Sequence, residues 1–175
     1  MKNEKLEPGA RFPAMTVSSV AGGEIRLGDP DAAEGRWQLV VVYRGKHCPI
    51  CKRYLATLEQ LKEDFAATGV DVVAVSGDGA EKAAQQVEEG ALTFPVGYDM
   101  QIDQMAALGL YISDPRSPQE TDQPFPEPGL FALRPDGTIQ IIDISNAPFS
   151  RPELNSILGG LKFIREKDYP IRGTH

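Results

Sequence analysis

The chain has 175 residues, 41% hydrophobic and 25% charged, which is the make-up of a globular protein with a real core. Its formal net charge of −7 argues against nucleic acid and anionic membranes as partners, since both attract cationic surfaces. No segment approaches the roughly 18 apolar residues of a membrane span. The N-terminus MKNEKLEPGARFPAM carries no apolar signal core, so a cytoplasmic location is expected.

Taken in chain order, residues 1–10 form an arm with little packing pattern. Phe12 to Ser18 and Glu24 to Leu27 suit a short hairpin turning at Ala21-Gly22-Gly23. Trp37 to Tyr43, WQLVVVY, is a continuous apolar and β-branched run, as in a strand covered on both faces. After Arg44-Gly45-Lys46-His47 come Cys48 and Cys51, and then Tyr54, Leu55, Leu58, Leu61 and Phe65 at helical spacing. Val70 to Ser76 reads as a second buried strand, Ala80 to Ala91 as a helix, Phe94 to Tyr98 as a short strand and Ile102 to Leu108 as a brief helix. Residues 112–128 make a proline-rich polar loop, long enough to suggest a function. Gly129 to Arg134 and Thr138 to Ser145 flank Pro135-Asp136-Gly137 as a hairpin. Leu154, Ile157, Leu158, Leu161 and Ile164 mark a final amphipathic helix, followed by a tail over 166–175. This order predicts one domain over 1–175, with a mixed sheet and helices on both faces.

The two cysteines of the chain, Cys48 and Cys51, lie two residues apart where a buried strand hands over to a helix. A bond closing so short a loop restrains the unfolded chain little, so reactivity explains the pair better than stapling. Zinc normally takes four ligands, and only His47 and His175 remain to supply them. Disulfide exchange and peroxide reduction both need a thiolate. The helix start favours that anion through its free N–H groups and dipole. Arg44, Lys46, Lys52 and Arg53 add cations, His47 can contribute a hydrogen bond or a charge, and Pro49 fixes the first turn without needing an N–H partner.

On these residues, WQLVVVYRGKHCPICKRYLATLEQL resembles the strand, motif and helix of thioredoxin-like proteins, in the peroxiredoxin-like (redoxin, alkyl hydroperoxide reductase) branch. GLFALRPDGTIQIIDISNAPFSRPELNSILGGLKFI is similar to the same branch. The resemblance implies an α/β thioredoxin-like fold, a central mixed β-sheet flanked by helices, with an N-terminal β-hairpin extension. It also exposes departures. The peroxiredoxin pattern PxxxTxxC is not met with Cys51 in the reactive place, where Arg44 and Cys48 replace proline and threonine. Nor is it met with Cys48 there, which gives Val41 and Gly45. The arginine that peroxiredoxins carry before Gly-Leu-Phe is Pro128 here. In thioredoxins the corresponding place holds a cis-proline packed on the cysteine pair, although Pro124 and Pro126 leave an ordinary loop proline open. Arg151 matches an arginine near the peroxiredoxin site, and either it or Arg44 can approach a sulfur. Glu127 draws no assignment.

The departures favour a thiol–disulfide oxidoreductase working through Cys48 and Cys51, with Cys48, expected to be the more exposed, attacking and Cys51 resolving. The alternative is a peroxiredoxin-like thiol peroxidase with antioxidant activity, and a third reading is a redox-regulated binding module using the 112–128 loop. Supporting residues are Pro49, Pro128, Arg44, His47 and Arg151. No metal or organic cofactor is expected. The expected partners are a disulfide-bearing protein or small hydroperoxide and a cellular thiol reductant, with a homodimer left open.

Overall fold

The computed structural model describes residues 5–29 and 34–175. Strands β1 (Met15–Ser19) and β2 (Glu24–Leu27) form the expected hairpin, with Gly22 and Gly23 at positive φ in its turn. Phe12 stays outside β1, because Pro13 cannot donate to a ladder, and instead packs edge-on against Phe131.

β3 (Trp37–Val42) leads into α1 (Pro49–Ala67), then β4 (Val70–Val75) and α2 (Ala80–Gly90). After these come β5 (Val96–Tyr98), α3 (Ile102–Ala107), a small pair β6 (Ile112–Ser113) and β7 (Phe125–Pro126), β8 (Gly129–Leu133), β9 (Ile139–Ile144) and α4 (Leu154–Lys167). The main sheet runs β2-β1-β5-β4-β3-β8-β9. β3, β4 and β5 are parallel neighbours and the remaining pairings are antiparallel, so the sheet is mixed as expected.

Alternation along β3 explains its unbroken apolar run. Leu39, Val41 and Tyr43 pack on one face with Leu55, Leu58 and Phe65 of α1 and Leu154, Leu158 and Leu161 of α4. Val40 and Val42 pack on the other with Phe131, Leu133 and Met105 of α3. From Leu39 to Val42 each strand residue is therefore covered on both faces, and only the half-buried start of β3 carries a polar side chain, Gln38.

Beyond one- to three-residue shifts at strand ends, the loop and both ends of the chain differ from expectation. The 112–128 loop carries its own two-stranded ladder, with Ile112 opposite Pro126 and Ser113 opposite Phe125. Lys82 Nζ ties its far end to Thr121 and Asp122. Part of the N-terminal arm is not loose: Gly9 N–H donates to Ile139 O at 2.8 Å and Ala10 O accepts Ile139 N–H at 2.9 Å. Residues 1–4 of the arm lie outside the described residues. At the other end, α4 runs to Lys167, two residues into the expected tail. No helix among the described residues is long and apolar enough to cross a membrane.

Candidate active site

β3 delivers the chain to the cysteine pair through a turn pinned from beside it. Tyr43 N–H still donates to Val75 O, and the next residues leave the sheet. Gly45 has φ +145°, and a Cβ there would lie 2.8 Å from Asp78 Oδ1. The turn thus packs its backbone directly on the Asp78 carboxylate, which accepts Lys46 N–H at 2.7 Å. Cys48 N–H then donates to Gly45 O at 3.2 Å, and Cys48 becomes the N-cap of α1 in extended conformation.

A helix N-cap ordinarily offers a side-chain oxygen to the free N–H groups of the first turn. Here the acceptor is sulfur: Cys48 Sγ takes Cys51 N–H at 3.2 Å. Pro49 follows in the first turn, where its missing N–H costs nothing. Cys51, one turn on, faces the core. Both sulfurs are buried, with Cys48 1% and Cys51 0% exposed, so the expected difference in exposure is absent.

What separates the two is charge. The Cys48 thiol is drawn down to about 6, first by hydrogen bonding with the Cys51 thiol, then by the Cys51 N–H and the Arg44 guanidinium, against the penalty of burial. The Cys51 thiol is pushed well up by the neighbouring Cys48 and by burial, while Arg151 opposes that rise. The pair is therefore a thiolate beside a thiol.

Two arginines flank the pair, Arg44 favouring the Cys48 thiolate and Arg151 bonded to Cys51. Arg44 stacks on the Phe125 ring at 4.8 Å and places Nε 3.0 Å from Glu127 Oε2. That N–H does not aim at the oxygen, so the contact is an ion pair rather than an aligned hydrogen bond. Glu127 is itself buried and accepts Ser113 Oγ–H at 2.7 Å. Arg151 places Nη2 3.4 Å from Cys51 Sγ, donates Nε–H to Pro148 O at 3.1 Å, and lies over the Tyr54 ring at 4.5 Å.

Two expected residues behave differently. His47 packs edge-on against Phe125 at 4.5 Å, and neither ring nitrogen has a hydrogen-bond partner among the described residues. Burial and then Arg44 lower its pKa, so the ring is neutral near pH 7 and supplies neither the charge nor the hydrogen bond the motif suggested. Pro128 corrects the cis-proline expectation, since its preceding peptide bond is trans. The backbone on both sides is committed to ladders: Glu127 N–H donates to Tyr111 O at 2.8 Å and Pro128 O accepts Ser145 N–H at 3.1 Å. An extended trans linkage satisfies both. Pro128 shares a narrow recess with Tyr54, Asp143, Arg151 and Pro152.

Glu127, Ser113, Phe125, Tyr54 and Asp78 complete the surroundings, and sequence reasoning missed all five. Only Glu127 left a usable signal, as a lone acid between two prolines at the threshold of the buried strand Gly129–Leu133.

Comparison with known proteins gives the family and the fold. The profile of the AhpC/TSA family matches residues 8–142. A protein of Mycobacterium tuberculosis named as a peroxiredoxin is 31% identical over 110 residues, covering 63% of this chain and 68% of that protein. The thiol-disulfide oxidoreductase ResA of Halalkalibacterium halodurans is 30% identical over 67 residues, 38% of each chain. The structure of Mycobacterium tuberculosis AhpC superposes with a TM-score of 0.76 at 16% identity, covering 95% of this chain and 97% of that one, a likeness of fold. A thioredoxin-like sheet, a charge-split cysteine pair at its strand-to-helix junction and the family profile agree: this cysteine-based redox enzyme belongs to the AhpC/TSA family.

Proposed function

We propose that the protein reduces hydroperoxides, with the Cys48 thiolate attacking and Cys51 resolving. The observation that carries this reading is Cys48 Sγ seated on the Cys51 N–H at the head of α1, with its thiol drawn down to about 6. Cys48 is then mostly thiolate at neutral pH, ready to react without a separate base.

In the first step the Cys48 thiolate attacks one peroxide oxygen. The S–O bond forms, the O–O bond breaks, sulfur loses two electrons, and the leaving alkoxide takes a proton to depart as alcohol or water. In the second step Cys51, as thiolate, attacks Cys48 sulfur, and hydroxide leaves as water after protonation. The product is a Cys48–Cys51 disulfide, which a cellular thiol reductant returns to the dithiol.

Two features favour a small hydroperoxide over a protein disulfide. Both sulfurs are almost fully covered, which suits a substrate of a few atoms better than a docked polypeptide. The Pro128 segment spends its neighbouring backbone groups on Tyr111 and Ser145, leaving them unavailable to a bound partner strand. The relative named as a peroxiredoxin, which aligns over more of this chain than ResA does, weighs the same way.

Stopped-flow mixing of the reduced protein with hydrogen peroxide, with sulfenic acid trapping in Cys51→Ser, tests the reading. Oxidation of Cys48 orders of magnitude faster than that of a free low-molecular-weight thiol is expected, and a rate near the free thiol removes it. Thiol–disulfide exchange is the second reading, favoured by the acid–base split within the CxxC motif. Insulin reduction that outpaces peroxide reduction would make it primary.

A further inference from the structure

Cys51 is an awkward resolving group as it stands. It is fully buried, and its ionisation is disfavoured while Cys48 beside it is anionic. The first chemical step removes that obstacle, because a sulfenic acid or mixed disulfide at Cys48 carries no charge. What remains is burial, and among the described residues one cation reaches Cys51 Sγ by a side-chain hydrogen bond: Arg151.

Arg151 is preorganised for that contact. Its Nε is held by Pro148 O, its plane rests on Tyr54, and Tyr54 is fixed in turn by its hydroxyl donating to Pro152 O at 2.6 Å. Nη1 is buried and has no hydrogen-bond partner among the described residues, an uncommon condition for a guanidinium donor. The other groups acting on Cys51 are Cys48 and the Arg44 region from the α1 entry and the Tyr43 hydroxyl from the end of β3. The Arg44 side chain pairs with Glu127 and favours the Cys48 thiolate, and what Arg44 gives Cys51 comes through its backbone.

We infer that the two arginines divide the reaction: Arg44 serves Cys48 in the attacking step, and Arg151 serves Cys51 in the resolving step by stabilising its thiolate. The inference builds on the assignment of Cys48 as attacker and Cys51 as resolver, and it holds for either oxidant. Losing one adjacent cation raises a thiol pKa by about one unit, and the gain in intrinsic nucleophilicity offsets part of the lost thiolate. Arg151→Met should therefore slow resolution about three- to tenfold at pH 7.

The test follows both half-reactions in the full-length reduced protein. With 5,5′-dithiobis(2-nitrobenzoate), attack by the first cysteine releases one chromophore and attack by the second releases another, so the phases are read without peroxide. With hydrogen peroxide, rapid quenching, alkylation and mass spectrometry separate dithiol, sulfenic acid and disulfide. In Arg151→Met the first phase should change less than twofold and the second should slow. The pH profile of the second phase should shift upward by about one unit, with the deficit shrinking as pH rises and vanishing or reversing where both thiols are ionised, and Arg151→Lys should recover part of the loss. A slowed first phase with an intact second would overturn the division of labour. So would a second phase slowed equally at every pH, which marks a merely structural role. Normal phases with the aromatic disulfide and no sulfenic acid with peroxide would remove the peroxidase reading while leaving this inference standing.

Discussion

Arg44, the cation beside the attacking sulfur, is held by Glu127, with Nε 3.0 Å from Oε2 and only 4% of the acid exposed. The pair links the motif turn to the β6–β7 ladder, since Glu127 also takes the Ser113 hydroxyl. Removing one partner of a buried pair costs far more than the pair itself contributes, because a charge is left without compensation. Glu127→Ala should lower stability by about 3 kcal/mol, the low end of that range, as the Arg44 side chain keeps 17% exposure. Urea unfolding of the reduced protein should show a lower midpoint at unchanged slope. Glu127→Gln, which retains an acceptor for Ser113, should lose less. An unchanged midpoint in Glu127→Ala would mean the pair is not structural.

The Cys48 thiol offers a pH signature. Its folded pKa, about 6, lies below the ordinary 9.0, so the unfolded state binds more protons between those values. Its contribution to stability is therefore present above pH 9 and lost as pH falls through 6. The opposite shift of Cys51 subtracts stability only at strongly alkaline pH. From pH 6 to 8 the reduced wild type should gain stability relative to Cys48→Ala, and iodoacetamide alkylation of Cys48 should rise with a midpoint near 6. Cys51→Ala removes the largest stabilising contact and should move that midpoint upward. Alkylation with a midpoint near 9 in wild type would contradict the N-cap assignment.

Much of this was legible in the sequence, and the exceptions have a common cause. Local pattern located the cysteines, because a strand buried on both faces and an amphipathic helix each leave a periodic trace around them. Pro49, Arg44 and Arg151 followed from motif and resemblance. The role of Glu127 was not legible: nothing local says that its carboxylate meets Arg44, 83 positions earlier and across the ladder from Ser113. His47 was overvalued for the same reason, since its lowered pKa comes from burial and then from Arg44, neither visible locally. Pro128 stayed open between a cis-proline and a loop proline because the hydrogen bonds from Glu127 to Tyr111 and from Ser145 to Pro128, which suit a trans linkage, are tertiary.

His47 supplies a test of that correction. Both nitrogens are buried without partners among the described residues, a cost that an aromatic ring of similar size avoids. Its lowered pKa means that its contribution to stability is lost as pH falls below the unfolded value near 6.5. His47→Phe should be at least as stable as wild type at pH 7, should lose less stability between pH 7 and 5, and should keep its peroxide rate within about twofold. A tenfold loss of rate at constant stability would restore a chemical role for the imidazole.

The turn before the cysteines rests on Asp78, whose pKa is raised by burial despite the Lys46 N–H and the nearby lysines. A carboxylate with a raised folded pKa costs stability above its unfolded value, so at pH 7 the buried charge is a liability and its acceptor is the asset. Asp78→Asn keeps an oxygen for Lys46 N–H and discards the charge, and should match or exceed wild-type stability at pH 7. Asp78→Ala leaves that N–H unpaired and should cost about 1–3 kcal/mol. Gly45→Ala should cost a similar amount for two added reasons: φ +145° strains any L side chain, and its Cβ drives Asp78 Oδ1 off its 2.8 Å approach. Because Cys48 N–H hangs on Gly45 O, the Gly45 variant should also raise the alkylation midpoint of Cys48. Loss of stability in Asp78→Asn equal to that in Asp78→Ala would show that the charge, not the acceptor, holds the turn.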